Sequence, residues 1–310
     1  MKNKKKHRRP RREPSPESAL LDRFSVRDLE AWETRSIDLQ SYQDRVYYDL
    51  ERQRAARYDE LCAALREVPA SEVSVDGWVR VTDWRWGLIP LSAGGSLKGI
   101  GGRFNIGGDL DRARGQAFPC LYIAHDIDTA YREYFGGAPA SRPSRLTLGE
   151  LALRRQTSFV TFSLCGQLEQ VFNLHDRSGL AKFSKVISTF EVSTDTRKFA
   201  HKMRLSTHRL IKTAHELWKR LLAPPEEWRT EPQVFGIPAA SQIFGRFVRD
   251  AGFEAILYPS QQGGSSCLAV FPENFRASSA KVEVMGATPP GASCTVLDHE
   301  HLCIDGLEWP

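Results

Sequence analysis

The 310-residue sequence contains no CxxC pair, and its six cysteines (Cys62, Cys120, Cys165, Cys267, Cys294, Cys303) are scattered along the chain. That spacing gives no disulfide framework and predicts reduced thiols and a cytoplasmic setting. No apolar run approaches the roughly 20 residues that span a bilayer, so no membrane partner is expected. The positively charged start lacks an apolar segment behind it, which excludes the pattern of a cleaved secretory signal. Acidic residues are missing from residues 2–12, which hold eight Lys and Arg. Without that block the 43 basic residues fall to 35, against 38 acidic ones, so the net charge of +5 belongs to the tail. Residues 1–16 are therefore expected to be a disordered basic tail, and any nucleic-acid contact is confined to residues 2–12.

Phosphate-binding and hydrolase signatures are also missing. No GxxxxGK[ST] run occurs. Gly99-x-Gly101 is followed by Phe104 where a dinucleotide fingerprint needs its third glycine. Ser260 in "YPSQQGGSS" lacks the GxSxG elbow. His201, His208 and His215 recur every seven residues, which on one helix separates them by about 10 Å along the axis, too far to share a metal. That spacing predicts a basic, solvated helix face. Cys294, His299, His301 and Cys303 in "SCTVLDHEHLCI" match no standard zinc spacing and are expected in a polar C-terminal tail, residues 289–310, with no metal.

Glycine is absent before Gly77, and the stretch up to Pro69 reads as helical. Tyr47, Leu50, Tyr58, Leu61 and Leu65 share one face, interrupted by Arg54. Residues 17–72 are thus expected to be a helical N-terminal segment, either a small subdomain or a partner-binding arm. From residue 73 the texture changes. Short strand-like runs occur in "SVDGWVRVTDWRWGLIPL", "PCLYIA", 158–164, 171–176, 254–260, 267–271 and 280–285. Helical patterns cover "HDIDTAYREYF", with Asp126 or Asp128 as N-cap, and residues 195–222 and 238–251. The fold class is accordingly α+β, a mixed sheet domain behind an N-terminal helical segment.

What is abundant is glycine in one place. Seven of the fifteen residues 94–108 are Gly, and Arg103 is the single charge in residues 99–108. Such a density suits a backbone that approaches something closely. "GGRFN", "LYIAHDIDTAYRE", "VTFSL…VFNLHD" and "GFEAILYPSQQGGSSCLAVF" occur in that order over roughly residues 80–285. In this order and context the chain resembles the RES-domain family, named for its Arg, Glu and Ser residues. The stretch "DLDRARGQAF" is longer than the family pattern, residues 180–225 look expanded, and the N-terminal segment lies outside the resemblance.

The resemblance implies an ADP-ribosyltransferase-like fold over residues 73–288. It also implies a toxin that consumes NAD⁺ as substrate, with no cofactor, and is neutralised by an Xre-like antitoxin or immunity protein. By position, the implied functional residues are Arg103, Tyr122, Glu133 and Ser260, with Gly102 and Asn105 beside them in the substrate loop. Ser265 and Ser266 compete with Ser260. Nicotinamide leaves NAD⁺ neutral, so a single carboxylate, Glu133, suffices to stabilise an oxocarbenium-like transition state. Arg103 suits a pyrophosphate with its planar fork of donors, and Tyr122 a nicotinamide ring. Two other functions fit the same residues: an ADP-ribosyltransferase acting on a protein or nucleic acid, and a catalytically silent binding protein.

Overall fold

A computed structural model describes residues 25–110, 113–136 and 158–304. The expected basic tail lies outside these residues. The chain starts with two helices, α1 (Val26–Ala56) and α2 (Tyr58–Arg66), and two strands, β1 (Ser71–Ser74) and β2 (Trp78–Asp83). The glycine-rich loop leads to β3 (Leu121–Ala124) and α3 (Ile127–Phe135). After β4 (Phe159–Asn173) come α4 (Ala181–Ile187), α5 (Thr194–Lys202), α6 (Ala214–Leu221), α7 (Pro225–Trp228), α8 (Thr230–Phe235) and α9 (Ala240–Asp250). Strands β5 (Ala255–Pro259), β6 (Ser266–Val270), β7 (Lys281–Val284) and β8 (Val296–Leu297) complete the described chain.

The sheet is mixed, in the order β2-β3-β6-β5-β4-β7-β8, with β1 on β4 and a second pairing of β2 with β4. Only β4–β5 is parallel. The two runs expected as separate strands at 158–164 and 171–176 form one 15-residue strand. Its start pairs with β2 and its end with β5, so β4 closes a ring of strands. Successive residues of β3 and β6 point into two different apolar clusters. Leu121, Ile123, Leu268 and Val270 enter one, while Ala124, Cys267 and Ala269 enter the other. A strand buried on both faces reads as a continuous apolar run rather than an alternation, which is what "CLYIA" and "CLAVF" show.

Two sequence expectations need correction. Residues 195–222 are not one helix: α5 ends at Lys202 and α6 begins at Ala214. His201 and His215 therefore sit on different helices, and half-buried His208 lies in the connecting loop. The expected polar tail contributes a strand, with Leu297 opposite Val282 and fully buried.

The N-terminal helices are built into the body. Leu61, Cys62 and Leu65 of α2 are at most 1% exposed and share the cluster of Phe172, Phe247 and Ile256. Residues 25–37 are exposed throughout, and burial begins with Tyr42.

Candidate active site

The glycine loop approaches itself more than anything else. A Cβ on Gly101, whose φ is +88°, would lie 2.5 Å from the Gly107 nitrogen, and one on Gly107 2.2 Å from the Gly101 nitrogen. A Cβ on Gly102 would meet the Tyr122 hydroxyl at 2.5 Å and its ring at 2.6 Å. Glycine is required here because backbone crosses backbone under an aromatic ring.

Asn105 is the loop's internal brace. Its Oδ1 accepts from the Gly102 amide and from the Tyr122 hydroxyl, both at 2.9 Å. Its Nδ2 donates to the Ser96 and Phe118 carbonyls at 2.9 and 3.1 Å. Gln242 on α9 holds the loop from the other side, reaching the carbonyls of Ile100, Gly102 and Asn105 at 2.8 to 3.0 Å. Gly102 and Asn105, expected beside substrate, make these bonds within the fold. Asn105 is 0% exposed with both amide ends engaged, and the Gly102 amide and carbonyl are both used within the fold.

Tyr122 has a divided role. Its hydroxyl donates to Asn105 and accepts from the Phe104 amide at 2.9 Å, so that end serves the loop. Burial raises its pKa well above the ordinary value, and the phenol stays neutral. The ring is half-buried, packed beside the larger apolar cluster.

Arg103, held between these braces, is 7% exposed. Its Nη1 donates to the carbonyls of Leu221 and Ala223 at 3.2 and 2.6 Å, at the C-terminal end of α6, where a helix favours positive charge. Its guanidinium carbon lies 5.8 Å from the centre of the Trp228 ring. Among the described residues, no carboxylate lies within 4.0 Å of it. Burial lowers the guanidinium pKa, while Tyr258, Glu133 and Tyr122 pull it back up. An arginine stays protonated under such shifts. The site thus holds a buried cation that no acidic side chain among the described residues neutralises at contact distance.

Glu133 comes from α3. Asp126 rather than Asp128 caps that helix, its Oδ1 accepting from the Thr129 amide at 2.8 Å. Thr129 and Ala130 face inward, and Glu133 follows at the three- and four-residue steps that keep one helix face. Its Oε1 accepts from the Ser260 hydroxyl at 2.6 Å and lies 4.0 Å from the Cys267 sulfur. Ser260 follows β5 and is held in a tight loop, its amide donating to the Ser265 carbonyl at 3.0 Å. The three serines separate clearly. Ser260 meets Glu133, the Ser265 amide donates to the Thr129 hydroxyl at 2.8 Å, and the Ser266 hydroxyl sits 3.1 Å from His175 Nε2.

Tyr258 and Cys267 are additions that the sequence reading missed. They are cross-strand partners on β5 and β6. Both are buried, both pKa values are pushed well up by burial, and Glu133 and Arg103 act on each. Their signal lay in the strand alternation: Tyr258 and Cys267 occupy the face shared by Tyr122. Arg103, Tyr122, Glu133, Ser260, Tyr258 and Cys267 thus form one electrostatically connected group drawn from a loop, a helix and three strands. No group of three or more His, Cys, Asp or Glu positioned for a metal occurs among the described residues.

Residues 183–290 match the family model described as the RES domain. The matched span includes Ser260, Tyr258 and Cys267, and Arg103, Tyr122 and Glu133 precede it. The fold brings the two sets together through the pairing of β3 with β6 and of Glu133 with Ser260. A chain of the M. tuberculosis MbcT–MbcA toxin–antitoxin complex is similar to this one at 13% identity and a TM-score of 0.41. The likeness covers 75% of this chain and 93% of that one. No curated protein matches the sequence.

A cavity of about 810 Å³ lies elsewhere, among Val46, Leu50, Phe183, Ile211, Leu217 and Phe247, and is lined by none of the site residues named above. No helix among the described residues is long and apolar enough to cross a membrane.

Proposed function

We propose that the RES domain makes this protein an NAD⁺-consuming enzyme that cleaves the nicotinamide–ribose bond, by hydrolysis or phosphorolysis. As a toxin it would arrest growth by depleting NAD⁺ and be held in check by a cognate Xre-like antitoxin. One observation carries the reading. Arg103 is a buried cation that no carboxylate contacts within 4.0 Å among the described residues, and the Glu133 carboxylate, hydrogen-bonded to Ser260, acts on it electrostatically. A charge buried without a counter-ion costs several kcal/mol, and a dinucleotide pyrophosphate supplies the missing anion in the form that a guanidinium fork binds best.

In this reading the α6 carbonyls hold Nη1 of Arg103, and its other guanidinium nitrogens bind the pyrophosphate, beside Trp228. The Tyr122 ring borders the nicotinamide, and its hydroxyl fixes the loop that carries Arg103. Glu133 stabilises the positive charge that develops on the ribose as the glycosidic bond breaks, by the electrostatic logic that dominates many sites. Ser260 orients that carboxylate and is the group placed to exchange its hydrogen bond for a ribose hydroxyl. Nicotinamide leaves neutral, so the site needs no general acid.

The test is to incubate the purified protein with NAD⁺, with and without phosphate, and to follow free nicotinamide by chromatography. Release by the natural protein, reduced at least 100-fold in Glu133→Gln with folding retained, is the expected outcome. Phosphate dependence and the ADP-ribose product then identify the acceptor. Absence of release from folded protein alone, with release restored by a protein or nucleic-acid acceptor, would replace this reading by ADP-ribosyl transfer. Equal release from Glu133→Gln would remove Glu133 from the chemistry.

A further inference from the structure

The cysteines near the C-terminal end form a feature independent of the NAD⁺ site. Cys294 and Cys303 flank β8 and pack against the same apolar cluster, Cys303 buried within it and Cys294 half-buried at its edge. The neighbouring Cys294 thiol, together with burial, raises the Cys303 pKa far above the ordinary range. Among the described residues, three other than glycine have a left-handed backbone, and two of them are Cys294 and Cys303, both with φ of +51°. Such a backbone is unfavourable for a side chain with a Cβ and persists where the surroundings hold it.

Those surroundings are visible in the main chain. The Leu91 amide donates to the Cys294 carbonyl at 3.0 Å, and the Ala93 amide to the Cys303 carbonyl at 3.2 Å. Two amides only two residues apart, at most about 7 Å of chain, therefore hold both cysteines side by side. The Asp298 amide donates to the His301 carbonyl at 3.1 Å, so the chain also folds back on itself between the two cysteines, the approach that a disulfide needs. The Cys303 sulfur also donates to the Val296 carbonyl at 3.2 Å, which keeps it turned inward across the β8 turn. The neighbouring histidines are used otherwise: His301 Nδ1 lies 3.1 Å from Asp298 Oδ1, and His299 Nε2 lies 3.7 Å from Glu300 Oε1.

We propose that Cys294 and Cys303 are a reversible dithiol–disulfide pair, oxidised by exchange with a small disulfide such as oxidised glutathione. Cys294, the more exposed of the two, opens the exchange. Its thiolate attacks one sulfur of the oxidant and releases the first thiol. Capping removes the Cys294 thiol that raised the Cys303 pKa, and Cys303, losing its proton, attacks the Cys294 sulfur of the mixed disulfide and releases the second thiol. The pair loses two electrons and two protons, and one small disulfide becomes two thiols.

The bond would staple the chain on both sides of β8 where it clasps residues 91–93. That segment runs directly into the base of the glycine loop. The Ser92 carbonyl accepts from Arg80 at 2.9 Å, and Ser96 accepts from Asn105 and Cys120 at 2.9 and 2.8 Å. Oxidation thus rigidifies the edge of the sheet that supports the Arg103 loop.

The full-length protein is equilibrated with glutathione buffers running from fully reduced to fully oxidised. It is then quenched in acid, unfolded and alkylated, and its peptides are mapped by mass spectrometry. The expected result is loss of two of the six alkylatable thiols, with a 294–303 cross-linked peptide two hydrogens lighter than the reduced pair. The melting temperature of the oxidised protein should rise by several degrees, a gain absent in Cys294→Ser. Three results overturn the proposal: six alkylatable thiols across the whole series, glutathione adducts on either cysteine without the cross-link, or pairing with a different cysteine. Mapping the natural protein decides the matter even if Cys303→Ser fails to fold.

Discussion

A single hydroxyl separates two accounts of Tyr122. If the phenol acts only on substrate, removing its oxygen should leave the fold unchanged. The structure instead gives that oxygen two partners inside the protein, Asn105 Oδ1 and the Phe104 amide. Tyr122→Phe strips both at once and leaves a buried amide without its acceptor. The expected cost is about 1–3 kcal/mol of stability, measured as a lower urea midpoint with an unchanged slope. Nicotinamide release should fall along with it, because the loop that positions Arg103 loosens. Unchanged stability with lost activity would return the hydroxyl to the substrate. At this scale the sequence was legible in part. The glycine density marked a close approach, but pattern reading assigned the approach to a ligand. Gly101 meeting Gly107 within the loop and the Tyr122 ring over Gly102, twenty residues on, are contacts that glycine spacing alone does not encode.

Among the elements, α1 and α9 are joined through one carboxylate. Glu51 Oε2 lies 2.6 Å from Arg54 Nε on the same helix, and its Oε1 lies 2.9 Å from Arg246 Nη2 on α9. Burial alone would raise the Glu51 pKa, but the two guanidinium groups outweigh it and hold the value below the ordinary 4.5. A carboxyl with a lowered folded-state pKa stabilises the fold above its unfolded value and loses that contribution as pH falls through the folded one. Glu51→Gln should therefore cost about 1–2 kcal/mol at pH 7. The gap to the natural protein should close as the pH drops below about 4. Urea titrations of both proteins at a series of pH values check this, and a gap constant down to pH 3 would show that packing, not charge, makes the difference. Arg54 had looked like an interruption in the apolar face of this helix. It reads correctly only once Glu51 and Arg246 are seen beside it. The strand elements were legible where apolar runs were bounded by turn residues. The joining of two runs into the single β4 was not, because "CGQLEQ" alternates too weakly to announce a strand and takes its conformation from β1 and β7 on either side.

For the whole molecule, the question is whether the N-terminal helices are an accessory arm or part of the body that carries the site. Deletion of an arm spares turnover, whereas deletion of core removes the fold. The structure divides the segment internally. Residues 25–37 of the first helix are exposed along their length, but Tyr42, Val46 and Tyr47 are buried, and Leu61 and Leu65 are 0% exposed. Replacing one buried leucine by alanine typically costs 2–5 kcal/mol, and a domain of ordinary stability has about 5–15 kcal/mol in all. Removing both leucines together with Tyr47 and Cys62 exceeds that margin. A chain starting at residue 38 should therefore melt cooperatively and keep its nicotinamide release within a few-fold. A chain starting at residue 67 should show no cooperative transition, even though it retains Arg103, Tyr122, Glu133, Ser260 and the entire span that matches the RES domain. Circular dichroism melts of the two chains beside the full-length protein settle the division. Cooperative melting and activity from the shorter chain would show that the sheet and its remaining helices form a complete core without α1 and α2.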